Sequence, residues 1–226
     1  MSSMNKKDSG GFSLLELLIA MVITMALMTA ASTLLAQALR VRSRENQKSD
    51  ALADAQRALN IMSREIANTG FNMTGNGIVA ADSGATSIRI RSNLNRYDTS
   101  AIAASRAGIV DENEDVKYFV NEADDTKYLA RYDPNGNGKT VLANRIDGMT
   151  IHYFDQKVTY TAPGGGSDIT GASATEVTPG NAKYIVIAVA VTLDAVGQPG
   201  SPGYQPPYSV LLCSDVTIRN SDLWIY

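Results

Sequence analysis

An acidic residue lies near the start of a long apolar segment. Glu16 is the single charged residue among residues 12–39, which contain neither Gly nor Pro and follow a pair of glycines, Gly10 and Gly11. As a helix this segment would be about 42 Å long, more than the roughly 30 Å hydrocarbon core of a bilayer. A carboxylate inside a membrane-spanning segment is costly unless it is paired. Glu16 therefore predicts a partner.

The residues around Glu16 form a larger pattern. A short basic leader with Lys6 and Lys7 precedes Gly11, and Phe12 then opens the string FSLLE and the apolar run. This pattern resembles the class III signal of type IV prepilins and pseudopilins. The resemblance implies cleavage by prepilin peptidase between Gly11 and Phe12 on the cytoplasmic side, and N-methylation of Phe12. It also implies that Glu16 pairs with the new terminal amine of a neighbouring subunit, so that neither charge is buried alone.

Two other kinds of N-terminal segment were compared with this pattern. A secretory signal peptide has an apolar core of about 7–15 residues followed by its cleavage site, whereas this run continues directly into a charged helix. A single-pass anchor with an incidental acid remains the alternative. The positive-inside rule compares Lys6 and Lys7 before the apolar segment with Arg40, Arg42 and Arg44 after it. This count favours a cytoplasmic location of the C-terminal body. Export of the body is therefore implied by the resemblance alone.

Helical spacing continues beyond the membrane segment. Apolar residues recur at steps of three and four up to Gly70, which is a natural helix stop. We therefore predict a leader at 1–11, a transmembrane and assembly half of the helix at 12–39, an amphipathic half at 40–69 and a β-rich body at 70–226. The predicted apolar stripe consists of Leu52, Ala55, Leu59, Met62 and Ile66.

After Gly70 the pattern changes to the alternation typical of strands. The fold class is predicted as α+β, and the resemblance implies a type IV pilin-like fold with a long N-terminal helix packed on an antiparallel β-sheet. The run 183–193 is apolar on both faces and is placed centrally under the helix. Residues 161–181 and 197–207 are predicted to be exposed connections. Strands are predicted at 87–91, 115–121, 126–132, 141–142, 149–154, 183–193 and 208–219.

Two further stretches resemble particular subgroups of these families. Residues 55–71 are similar to the helix end of PilW-type minor pilins. Residues 214–220 resemble the closing strand of PilW-type pilins and of J-type pseudopilins of type II secretion. The formal net charge of −3 does not indicate a nucleic-acid site, and the single cysteine, Cys213, cannot form an intramolecular disulfide.

One short motif could bind a metal. Residues 133–138, DPNGNG, match the first half of a calcium loop, with Asp133, Asn135 and Asn137 at alternate positions. Asn144 occupies the position where a bidentate acid is expected, and a turn without an ion explains the same residues. Calcium is thus one of two interpretations, and no other cofactor is predicted. His152 is interpreted as an ordinary strand histidine, because no catalytic constellation accompanies it.

The predicted function is structural and not enzymatic. We predict a PilW-like minor pilin, stored as a single-pass inner-membrane protein with its body in the periplasm and assembled into the pilus tip or initiation complex. Its implied partners are other major and minor pilins, the prepilin peptidase and the inner-membrane assembly platform. A J-type minor pseudopilin of type II secretion and a membrane-tethered binding domain or enzyme are the alternatives.

Overall fold

The fold consists of one long helix and two antiparallel sheets. The computed structural model describes residues 13–73, 75–94, 111–123, 126–136, 138–201 and 203–220. Two short 3-10 turns, Ala80–Asp82 and Pro179–Asn181, lie in the connections. The helix and strands are α1 (Leu14–Ala67), β1 (Ser87–Arg91), β2 (Asp115–Ala123), β3 (Thr126–Asp133), β4 (Gly138–Asn144), β5 (Ile146–Phe154), β6 (Tyr184–Leu193) and β7 (Tyr208–Thr217).

Helix α1 is continuous over 54 residues, a length of about 81 Å at 1.5 Å per residue. The absence of Gly and Pro from this stretch predicted a single unbroken helix, and that prediction is confirmed. The helix ends at Ala67, two residues before the predicted bound at residue 69. Phe12, its predicted first residue, lies outside the described residues.

The chain leaves the helix through a tight glycine contact. Gly70 has the predicted role of a helix stop, with a φ of +74° that favours glycine. A Cβ on Gly77 would lie 2.3 Å from the Gly70 nitrogen and 2.4 Å from the Arg91 carbonyl oxygen. These backbones approach closely only because both positions are glycine.

The strands confirm the predicted antiparallel β-structure and divide into two sheets, a division that was not predicted. Strands β1 to β4 form a four-stranded sheet in chain order, and β5 to β7 form a three-stranded sheet with β6 in the centre. The chain passes from β4 to β5 through Arg145 alone, which has a φ of +59°. All seven predicted strands are present. However, β4 is longer than the predicted 141–142, and β7 ends at Thr217 rather than 219.

The main core lies between the outer half of α1 and the sheets. Strand β6 contributes one face to this core, through Ile185, Ile187, Val189 and Val191, which confirms its central position under the helix. Leu52 is only half-buried, so the helical stripe is rotated slightly toward smaller residues. The buried helix residues with apolar side chains are Ala51, Ala55, Ala58, Leu59, Met62 and Ile66.

The opposite face of β6 packs in a second apolar cluster. Val186 and Ala188 contact Val158 and Ile169, which belong to the connection between β5 and β6. The prediction that residues 161–181 are an exposed connection was therefore wrong for Ile169, which is 8% exposed. A strand that is apolar on both faces needs a cover on both, and this connection provides the second one.

Candidate assembly surface and its attachment to the body

Helix α1 begins with a side-chain cap. The Ser13 hydroxyl oxygen accepts a hydrogen bond from the backbone N–H of Glu16 at 3.2 Å, which satisfies one of the free donors at the helix start. Ser13 and Glu16 have the spacing of a capping box, a signal the sequence analysis did not use. The Glu16 carboxylate also lies at the positive end of the helix dipole. Gly11 and Phe12 lie outside the described residues.

Residues 14–36 of α1 lie outside both buried apolar clusters that the described residues form. Residues 13–36 are all exposed, and this helix is long and apolar enough to cross a membrane by length and composition. The threonine hydroxyls of this segment, from Thr24, Thr29 and Thr33, do not interrupt the apolar surface. Each donates a hydrogen bond to a carbonyl oxygen three or four residues earlier in the helix. Lipid or other helices must cover this surface.

Glu16 is the charge within this surface. Its side chain is exposed, and no cation in the described part of the chain lies within ion-pair distance of it. The neighbouring large side chains are apolar; Leu14 is 82% exposed and Leu15 is 68% exposed. Once this surface is covered, compensation of the carboxylate has to come from outside the described residues.

Arg44 attaches the lower end of the body to the helix. Its guanidinium is buried and donates to the carbonyl oxygens of Leu193 at 2.9 Å and Pro206 at 3.3 Å, and also to that of Asp194. These carbonyls belong to the last residue of β6 and to the segment between β6 and β7. Arg44 was predicted only as a flanking positive charge, whereas the structure shows a buried structural contact.

Glu65 attaches the upper end of the helix to the four-stranded sheet. Its carboxylate accepts from the Tyr118 hydroxyl and from Nε of Arg131 at 3.2 and 3.1 Å. Tyr118 is completely buried. Burial raises the pKa of the Tyr118 hydroxyl above its usual 10, and the Glu65 carboxylate raises it further, so the hydroxyl remains a donor. Glu65, which lies within residues 55–71, therefore joins α1 to β2 and β3.

The C-terminal segment completes this attachment. The backbone N–H of Arg219 donates to the Ala67 carbonyl at 3.1 Å. The Asn220 amide donates to the carbonyls of Asn68 at 3.3 Å and Thr69 at 3.1 Å. Carbonyls at a helix end lack helical partners, and here the residues after β7 supply them. The body is thus attached at both ends of the outer half of α1.

The possible calcium loop forms a turn between β3 and β4. Asp133 is buried, and its two carboxylate oxygens accept from the backbone N–H groups of Asn135 at 3.0 Å and Asn113 at 2.7 Å. Asn137 lies outside the described residues. Within the described ranges no group of three His, Cys, Asp or Glu side chains is placed to hold a metal. The turn accounts for Asp133, and calcium binding stays a prediction.

His152 has a more specific environment than an ordinary strand histidine. Its Nδ1 lies 2.7 Å from a Glu176 carboxylate oxygen, and its Nε2 lies 2.7 Å from an Asp168 oxygen. Burial alone would lower the pKa of the imidazole, but the two carboxylates outweigh it and raise the pKa above 6.5. The doubly protonated ring donates to both carboxylates. His152 therefore holds the covering connection on the second sheet.

Comparison with known proteins supports the interpretation of the N-terminus. Residues 6–32 match the family model described as the prokaryotic N-terminal methylation motif. No match is found among the curated proteins. The chain is similar to the solved structure of a type IV-like pilin from Thermus thermophilus, with 11% identity over 75% of this chain and 97% of that chain and a TM-score of 0.39. The prepilin-type signal rests on the motif at residues 6–32, and the α+β fold class rests on the arrangement of the helix and sheets.

Proposed function

We propose that this type IV pilin-like protein, which carries the prepilin methylation motif, is a PilW-like minor pilin. Prepilin peptidase would cleave it between Gly11 and Phe12, and Phe12 would be N-methylated. The mature chain would be stored in the inner membrane, with its body in the periplasm, and would then be assembled into the pilus tip or initiation complex. Its role is structural, and its partners are other pilins and the inner-membrane assembly platform.

The observation that carries the proposal is the exposed apolar half of α1 with Glu16 inside it. Apolar surface of this extent is stable only in lipid or against other apolar helices. A filament replaces lipid with helices, so its assembly need not expose the surface to water. Glu16 selects one axial position in such a bundle, because an amine at a neighbouring N-terminus neutralises it only at one stagger.

The attachment of the body supports the same role. A subunit that is drawn out of a membrane by its helix must carry its body along. Arg44 and Glu65 join the two parts through hydrogen bonds at opposite ends of the outer helix, so a displacement of α1 is passed to the sheets.

The test is incorporation of Glu16 variants into filaments. We expect Glu16→Ala to remain in the membrane fraction and to be absent from sheared filaments, and the isosteric Glu16→Gln to be depleted in the same way because it also lacks the charge. Glu45→Ala is the matched control, since Glu45 is an exposed acid on the same helix outside the apolar half. Incorporation of both Glu16 variants at the wild-type level would contradict the proposal.

Mass spectrometry of the mature protein tests the processing step separately. We expect a methylated Phe12 at the N-terminus, and an uncut chain in Gly11→Ala. An unprocessed Met1 in the wild type would leave only a tethered domain. Deletion of the gene then distinguishes a type IV pilus subunit from a J-type pseudopilin of type II secretion. Loss of a pilus subunit changes the number of pili, whereas loss of a J-type pseudopilin changes protein secretion.

A further inference from the structure

The outward face of the four-stranded sheet carries a cluster of aromatic and cationic side chains. Val116 and Tyr118 of β2 belong to the core and point toward the helix. Because side chains alternate along a strand, the neighbouring Lys117 and Phe119 point outward. Lys117, Tyr132 and Lys139 are direct partners across β2, β3 and β4, which places them side by side. We refer to Lys117, Phe119, Tyr128, Tyr132 and Lys139 as the aromatic face.

A cleft lies on this face. Its volume is about 570 Å³, within the range of sites that bind small ligands. Phe119 and Tyr132 supply apolar walls, while Lys117 and Lys139 supply the charges. Tyr132 is 42% exposed, so its ring is open to a ligand.

Lys139 is the unbalanced charge of the aromatic face. Its ammonium donates to the Tyr128 hydroxyl at 2.6 Å and lies 5.8 Å from the centre of the Phe119 ring. Of the carboxylates that the structure describes, none lies within ion-pair distance of it. Lys117, in contrast, lies 3.4 Å from an Asp82 oxygen. The face therefore has one cation available for an anionic group, next to aromatic rings.

We propose that the aromatic face binds an acidic saccharide. The partly positive C–H groups on one face of a sugar ring fit the negative face of Tyr132 or Phe119. A uronic carboxylate on the same sugar pairs with Lys139 in a charge-assisted hydrogen bond. Charge complementarity at one point and a flat apolar contact beside it are the two features that this ligand class combines.

Single-stranded nucleic acid shares the stacking chemistry but fits the charges less well. It carries a phosphate at every nucleotide and is held by a groove with several cations. On this face, Lys117 and the arginines of β1 already have carboxylate partners: Lys117 pairs with Asp82, Arg89 pairs with Asp82 and Asp115, and Arg91 pairs with Asp115. A phosphate chain following the sheet would meet these carboxylates.

The experiment measures binding of hexagalacturonate to the full chain in detergent micelles, with neutral maltohexaose and a ten-nucleotide thymidine strand as comparison probes. We expect binding of hexagalacturonate only. Lys139→Gln should weaken it by on the order of tenfold, as for loss of a charge-assisted hydrogen bond, and Tyr132→Ala should weaken it further. Lys157→Gln is the matched control, because Lys157 is exposed and removal of its charge leaves the aromatic face intact.

Each outcome has a defined meaning. Loss of affinity in Lys139→Gln but not in Lys157→Gln, with unchanged thermal unfolding of both, supports the proposal. Equal binding of the neutral hexasaccharide, preference for the thymidine strand, or no binding of any probe overturns it. The chain is unassembled in this measurement, so the result is independent of whether the protein enters a filament.

Discussion

Replacement of Glu65 by alanine tests whether the polar contact at the upper end of α1 stabilises the attachment of the body. The substitution removes the acceptor of the Tyr118 hydroxyl and the carboxylate partner of Arg131. Tyr118 is completely buried, and the Arg131 side chain is 13% exposed. The Tyr118 hydroxyl would then be buried without this acceptor, and Arg131 would lose its closer carboxylate but keep Asp133 at 3.8 Å.

The expected loss follows from these burials. A buried hydroxyl without a partner costs about 1–3 kcal/mol, and breaking a buried ion pair costs about 3–5 kcal/mol. The Glu65 side chain is 30% exposed, and Arg131 keeps Asn113 as an acceptor at 2.7 Å. The hydroxyl therefore contributes the lower end of its range and the ion pair contributes less than the lower end of its range, so we expect a total of about 3 kcal/mol. Glu65→Gln retains an acceptor oxygen and should cost about half as much.

The assay is thermal unfolding of the full chain in detergent, followed by near-ultraviolet circular dichroism of the body. A loss of about 3 kcal/mol corresponds to a decrease in Tm of roughly 6–12 °C for a domain of this size. A double-mutant cycle with Tyr118→Phe measures the coupling directly, and Glu45→Ala controls for loss of a helix acid. Additive effects of the two substitutions, or a Tm within about 2 °C of the wild type for Glu65→Ala, would refute the reasoning.

Two further predictions concern the body. Gly77→Ala should cost more than about 3 kcal/mol, because its Cβ would overlap backbone atoms at 2.3 and 2.4 Å. Gly75→Ala is its control: Gly75 also has a positive φ, but its Cβ would meet nothing within 4 Å, so it should cost only about 1–2 kcal/mol. The raised pKa of His152 predicts that its stabilisation is complete below about pH 6.5 and is lost as the pH rises through the folded pKa. The Tm difference between wild type and His152→Gln should thus be largest between about pH 5 and 6.5 and should close at higher pH; a gap that is constant or widens would contradict this.

The strands could be predicted because their signals are local. Alternation in β1 and the run of β-branched residues in β6 depend only on adjacent residues. The division into two sheets could not be predicted, because it depends on Arg145 adopting a left-handed conformation that Gly and Asn usually occupy. The cover formed by Ile169 was predictable in principle, since a strand that is apolar on both faces requires two packed layers.

The candidate site also contains a part that the local sequence predicts and a part that it does not. Gly11, Phe12 and Glu16 lie within a short contiguous motif, which the family match at residues 6–32 includes. Glu65 lies within residues 55–71, whose similarity to a pilin helix end is a local signal, but its partners Tyr118 and Arg131 lie 53 and 66 positions away. Nothing in the local sequence indicates such a pairing. Contacts that are distant in the chain therefore required the structure.

The polar contacts at the ends of the outer helix have a function that apolar packing cannot supply. Much of the buried helix stripe is alanine, namely Ala51, Ala55 and Ala58, and apolar contact is not directional. Such a stripe resists separation of helix and sheet more strongly than axial sliding. Hydrogen bonds depend steeply on distance and angle, so those of Arg44 and Glu65 fix the axial position of the body. In the proposed filament, where Glu16 would set the stagger of the helix, these two residues would also set the position of the body on the filament surface.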